Sequence, residues 1–288
     1  MRKALQLLLL LVVLASCEDV IEVEVPAEEA RLVIDAIIRV DTSETLIRPA
    51  IKVTRSTSFF EEAQPVSNIT QMTISLLGTN GTGDDFLVLE ETEAGSGIYQ
   101  DPEAVLVDSL VVGRLLLQIE HEGRLYFAET QYVPSVQIDN LQQGDDTLFS
   151  EDDTEVIVEI TDTPGEDNFY VFDFGFSEFL TVQDQFFEGQ SFEFSYFYET
   201  ELDSGQELEI SVLGADQGFF DYMTLLVEQT QADGGVFQTP VATVRGNIFD
   251  VTDLDNDQVV DNVGQPDVFP LGYFAVVQEF KSQLTLQD

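Results

Sequence analysis

Residues 114–133 read RLLLQIEHEGRLYFAETQYV, and this stretch decides the fold class. Two β-rich runs flank His121-Glu122-Gly123, the pattern of an antiparallel hairpin closed by a tight turn. His121 is the only histidine of the chain, and the reading places it in the turn, exposed to solvent. On the N-terminal side come further short strand patterns: RLVIDAII (31–38), LIRPAIKVTRS (46–56), TQMTISLL (70–77), DFLVLEE (85–91) and GIYQ (97–100). The glycine- and acid-rich turn between Gly78 and Asp85 separates two of them. VQIDNL (136–141) closes the unit on the other side. About seven or eight strands with no helical periodicity predict an immunoglobulin-like β-sandwich over 31–141.

QQGDDTLFSEDD (142–153) is polar, acidic and turn-rich, and is expected to be the linker to a second unit, 154–288. That unit opens with the alternating TEVIVEITD (154–162), followed by NFYVFDFGF (168–176), FEFSYFY (192–198) and QELEISVLG (206–214). Thirteen of the thirty positions from Phe169 to Tyr198 are aromatic, a density expected of strands that fill a core. The competing reading is that some of them, such as off-face Phe197, meet a partner or an apolar ligand. Phe219, Tyr222, Met223 and Leu226 recur at helical spacing after a capping residue, Asp216, and predict one helix near 219–231. VATVRGNIFDV (241–251) and GYFAVVQEFKSQLTL (272–286) supply the last strands. The chain therefore reads as all-β: two sandwich units, the second carrying one short helix.

The N-terminus supplies an address. Arg2 and Lys3 precede an apolar run that ends in Leu14-Ala15-Ser16-Cys17. A run of about ten residues is half of what a membrane-spanning helix needs, so residues 1–16 read as a secretion signal. Cys17, the only cysteine, stands where a lipobox places the acylated residue. Residues 17–30 then form the lipidated stem, and the thirteen residues after Cys17 reach ~40 Å if extended. A lone, lipidated cysteine leaves no disulfide, so stability must come from core burial.

Charge excludes a large class of partners. The chain carries 11 basic and 55 acidic residues, a net −44, and removal of the signal leaves 9 against 55, or −46. Such a surface repels nucleic acid, which needs clustered Lys and Arg. It also matches the acid-rich, lysine-poor surfaces of salt-adapted proteins. Disorder is ruled out by 44% hydrophobic and 10% aromatic content falling in patterned runs.

Catalytic signatures are scarce. One histidine and one cysteine leave no second group for a Cys-His pair or a His/Cys zinc site. Phosphate-binding glycine loops are absent as well. A carboxylate pair could still hydrolyse glycosides, but 55 acids nominate none in particular. Asp253, Asp255, Asp257 and Asp261 have the 1, 3, 5, 9 spacing of a calcium loop. Gln258 stands where such a loop turns on glycine, and Gly264 where it needs its bidentate acid. A solvated acidic turn is the competing reading. Calcium is the only cofactor the sequence suggests.

Several separated segments together resemble one known family. The stem followed by LVIDAII, then IKVTRSTSFF, PVSNITQMTISL, the hairpin block through VQIDNL, EVIVEITDTPGEDNFYVFDF, FFDYMTLLVEQTQ, PVATVRGNIF and LGYF occur in its order. This is similar to the domain-of-unknown-function 4249 family, outer-membrane lipoproteins of Bacteroidota. Asn247-Ile248-Phe249 and Gly272-Tyr273-Phe274 match its best-marked positions, read here as backbone and packing requirements. The acidic stretch 253–267 looks longer than the family's connection, so an insertion for salt tolerance competes with a metal site. The resemblance implies an outer-membrane location, often with a TonB-dependent transporter encoded nearby. Glu18-Asp19 partly fit the surface-export signal of that phylum, which favours the extracellular face.

Three functions follow as expectations. The leading one is a non-enzymatic surface lipoprotein acting as an accessory or binding partner of a TonB-dependent transporter. The second is a structural or adhesive β-sandwich module, stabilised by calcium at Asp253–Asp261. The third is a carboxylate-based hydrolase.

Overall fold

The computed structural model describes residues 30–57, 62–78, 83–148, 153–198, 202–230, 243–252 and 268–287. The chain is all-β. Its first part forms β1 (Leu32–Val40), β2 (Leu46–Ile47), β3 (Ala50–Arg55), β4 (Gln64–Pro65), β5 (Gln71–Leu77) and β6 (Gly83–Val88). Then come β7 (Glu90–Glu91), β8 (Ile98–Gln100), β9 (Val105–Leu106), the one-turn helix α1 (Val107–Leu110), β10 (Arg114–His121) and β11 (Arg124–Val133). β12 (Ile138–Gln143), β13 (Thr154–Thr161), β14 (Phe169–Asp173), β15 (Phe179–Gln183), β16 (Ser191–Tyr198) and β17 (Glu207–Ala215) follow. Helix α2 (Gln217–Thr230), β18 (Ile248–Asp250) and β19 (Leu271–Thr285) complete the described elements.

β19 is the spine. Its first half runs parallel to β1, from Val33↔Leu271 to Val40↔Gln278, and meets β11 on its other side at Tyr132↔Val276 and Val133↔Val277. Its second half turns to a different neighbour, pairing antiparallel with β17 from Leu213↔Glu279 to Glu207↔Thr285. Sequence follows burial along the strand. Gly272 to Glu279 are all buried, which is why Tyr273-Phe274-Ala275-Val276-Val277 shows no alternation. From Phe280 onward, one face returns to solvent and polar residues reappear.

Through β19, one large mixed sheet runs β6-β5-β10-β11-β19-β1-β3-β8-β7, with β18 added beside β11 and β4 beside β3. Alternate residues of β1 (Ile34, Ala36, Ile38), of β10 (Leu115, Leu117, Ile119) and of β5 (Met72, Ile74) share a first core with Ile51, Val53, Tyr99, Phe274 and Val276. β14 and β17 extend the same sheet beyond β19, while β12, β13 and β16 form a separate three-stranded sheet. A second core lies between them: Val156, Val158, Ile160 and Tyr198 meet Tyr170, Phe172, Phe174, Leu208, Ile210 and Val212.

The aromatic run fills this second core, as its density predicts. The Phe174 and Tyr196 rings stack at 3.7 Å, Phe187 and Phe192 at 4.2 Å, and Phe194 meets Phe172 edge-on at 5.0 Å. β14 and β17 are buried on both faces because α2 covers the far side. There Val171, Leu213 and Ala215 pack against Phe219 and Met223. Asp216 caps this helix, its Oδ1 accepting the Phe219 N–H at 2.7 Å. The helix expected near 219–231 is therefore present, spanning Gln217–Thr230. Phe197, proposed for partner contact, is half-buried in β16 opposite Glu155.

Sheets and chain order cross at two places. β12, on the near side of the 142–153 stretch, pairs with β13 on its far side, and Ile138 and Leu141 lean on the second core. β18 and the first half of β19, from the C-terminal segment, lie in the first sheet instead. Among the described residues, no helix is long and apolar enough to cross a membrane.

Candidate functional site

Five segments end at the same edge of the first sheet. Arg31 opens β1, Arg55 closes β3, the β10–β11 turn projects His121 to Arg124, β18 ends at Asp250, and Val268–Pro270 lead into β19. Parallel pairing of β1 with β19 brings both strand starts to one end, and Leu32↔Arg55 pairing brings the end of β3 there as well. The result is a cavity of about 220 Å³ lined by Arg31, Arg55, His121, Glu122, Arg124 and Tyr126, with Asp250 and Phe269 closing it.

Arginines are concentrated at it. Arg31, Arg55 and Arg124 line the cavity, and Arg245 lies over the ring of Phe269, 3.7 Å from its centroid. The Arg31 guanidinium is 4.1 Å from the same centroid and donates from Nη1 to the Phe269 carbonyl at 3.4 Å. Two of the eight arginines of a chain with net charge −44 thus meet at one ring, and two more line the same cavity. Arg55 Nη2 donates to both Glu122 carboxylate oxygens at 3.0 Å, and Arg124 Nη1 donates to Asp250 Oδ2 at 2.6 Å. The hydrogen bond from Arg55 holds the Glu122 carboxyl below its usual range. Burial pushes the Tyr126 hydroxyl up.

His121 sits differently from its sequence expectation. The turn is Glu122-Gly123, both at positive φ (51° and 76°), and His121 is the last residue of β10. The inward alternation of Leu115, Leu117 and Ile119 continues one step to the imidazole, leaving its side chain 7% exposed. The expected solvent-exposed histidine is therefore buried, because the strand runs one residue further than the sequence reading ended it. Neither ring nitrogen has a hydrogen-bond partner among the described residues. Glu122 Oε1 lies 3.8 Å from Nε2.

Other sequence-nominated positions fall elsewhere. Cys17, Glu18 and Asp19 lie outside the described residues, as do Asp253, Asp255, Asp257 and Asp261. Among the described residues, no group of acids, histidines or cysteines is arranged to hold a metal ion. Asn247 and Gly272 take the backbone roles that their positions suggested. The Asn247 amide donates to the Phe274 carbonyl at 2.8 Å, and its Oδ1 accepts the Phe274 N–H at 2.8 Å, pinning the entry to β18 against β19. A Cβ on Gly272, at φ +103°, would overlap the Ile34 carbonyl of β1. The arginines were missed because each is a solitary charge in sequence, and only the sheet ends gather them.

Fold and site together define an all-β protein with two main cores joined by one long strand and an arginine-lined cavity at one sheet end. The family of the domain of unknown function (DUF4249) matches residues 18–260, and the chain belongs to it. No curated protein matches the sequence.

Proposed function

We propose that this chain is a lipid-anchored outer-membrane protein, held on the extracellular face, that serves as a non-enzymatic accessory or binding partner of a TonB-dependent transporter. The observation that carries the reading is the N-terminal sequence: Arg2-Lys3, an apolar run, then Leu14-Ala15-Ser16-Cys17 with acids directly after the cysteine. Family membership is consistent with it. The cavity also favours binding over turnover. Its described lining contains no serine, threonine or cysteine to act as nucleophile, and its histidine stands among arginines. A hydrolase acting through carboxylates needs one acid with a raised pKa. Glu122 is shifted the opposite way by Arg55.

Affinity purification of the native protein from membranes dissolved in mild detergent tests the partner. Co-purification of a TonB-dependent transporter supports the proposal; recovery of the chain alone counts against it. Protease treatment of intact cells tests the face, and full protection of the chain would contradict extracellular exposure.

A further inference from the structure

We infer that the cavity at the end of the first sheet binds a neutral, hydroxyl-rich small molecule, a monosaccharide or cyclic polyol, through the imidazole of His121 and the phenol of Tyr126. This inference stands apart from the transporter reading and needs neither the lipid nor the partner.

The argument begins with the imidazole. His121 keeps 7% of its side chain exposed, lines the cavity, and has both ring nitrogens without a hydrogen-bond partner among the described residues. Leaving a buried donor and acceptor unmet is costly, so the cavity suits a polar occupant. An apolar molecule would leave both nitrogens as they are.

Charge does not select that occupant, because the charged groups are committed to the protein. Arg55 donates to both Glu122 oxygens, and Arg124 to Asp250 Oδ2. Arg31 and Arg245 lie on Phe269, and Arg31, Arg124 and Arg245 each have further interactions. The second Asp250 oxygen is engaged as well, accepting the Thr252 N–H at 3.0 Å and the Thr252 hydroxyl at 2.6 Å.

Hydrogen-bonding capacity selects it instead. A neutral imidazole offers one N–H and one lone pair, and a protonated one offers two N–H groups. A hydroxyl, with one donor and two acceptor lone pairs, satisfies either form. Burial pushes the Tyr126 hydroxyl up and so keeps it protonated, a second neutral donor and acceptor lining the same cavity. Leu32, Val268 and Pro270 add apolar surface. A sugar ring presents the matching mixture, C–H faces edged by hydroxyls. Size agrees with a single ring. The cavity of about 220 Å³ is several times the roughly 30 Å³ of one water and smaller than the roughly 300 Å³ at which drug-sized pockets begin.

One resonance reads the answer. Because the chain has a single histidine, ¹³Cε1-histidine labelling of the membrane-extracted protein in a sugar-free detergent gives one signal, from His121. It is titrated separately with D-glucose, D-galactose, D-mannose, L-fucose, D-xylose and myo-inositol. At least one of these is expected to move the signal saturably. Tetrahydropyran, a ring without hydroxyls, and inorganic phosphate at constant ionic strength are expected not to move it. Tyr126→Phe removes one hydroxyl and is expected to weaken the titration about tenfold. Arg114→Gln, at an exposed pair with Glu129 outside the cavity, leaves it unchanged. His121→Phe is expected to abolish the heat of the same compound in calorimetry while the far-ultraviolet dichroism is retained. No saturable shift with any of these compounds, an equal shift with tetrahydropyran or phosphate, or a titration indifferent to Tyr126→Phe overturns the inference.

Discussion

Gly272 shows how much a single missing side chain can decide. At φ +103° it lets the start of β19 lie against Ile34 of β1, and the backbone of Gly246 approaches Gly272 from another side. The obstructing atoms are backbone, so no rotamer change relieves an added methyl. Gly272→Ala is expected to cost about 3 kcal/mol or more, read as a fall in the urea midpoint at unchanged slope. Tyrosines give a second residue-scale test. Burial raises the Tyr170, Tyr198 and Tyr273 hydroxyls well above their ordinary range; Tyr170 also donates to Asp162, and Tyr198 to the Phe174 carbonyl. A raised folded-state pKa gives stability that is complete below the unfolded value of roughly 10 and is lost as pH climbs toward the folded one. Alkaline unfolding is therefore expected above about pH 10, with these phenols ionising only as the fold is lost. Because the chain has no tryptophan, phenolate absorbance reports this directly. Ionisation of all eight tyrosines with the β-sheet dichroism intact would contradict it.

At the scale of elements, the β10–β11 hairpin was legible because its pairing is local and its alternation clean. Helix α2 was legible for the same reason: Phe219, Tyr222, Met223 and Leu226 mark one face, and Asp216 marks its start. Asp216→Ala is expected to lower stability by about 1 kcal/mol, measured by thermal or urea unfolding, through loss of the Phe219 N–H acceptor. Other elements hid their partners. β19 reads as an apolar strand, but nothing local says that its first half runs parallel to β1, over two hundred residues away, and its second half beside β17. β14 reads as aromatic without alternation because the second core takes one face and α2 the other. His121 was misplaced by one strand position, which was enough to turn it from solvent to core. The arginine cluster had no local signature at all. Its only trace was the preference for arginine over lysine, with Lys52 and Lys281 the sole lysines beyond Lys3.

The whole molecule carries net charge −44 around two main cores held by one strand. Like charges at this density repel and oppose the compact state, and added salt screens them. Its melting temperature is expected to rise with sodium chloride through the molar range; a flat or falling response would remove salt adaptation from the account. Where this body works rests on Cys17, and the mass of its mature N-terminus in native membranes tests that most directly. The account predicts a chain beginning at Cys17, bearing fatty acyl groups and lacking residues 1–16, and a Cys17→Ser chain that carries no acyl mass. A native chain with its leader attached and its thiol unmodified would contradict the anchor and, with it, the proposed place at the cell surface.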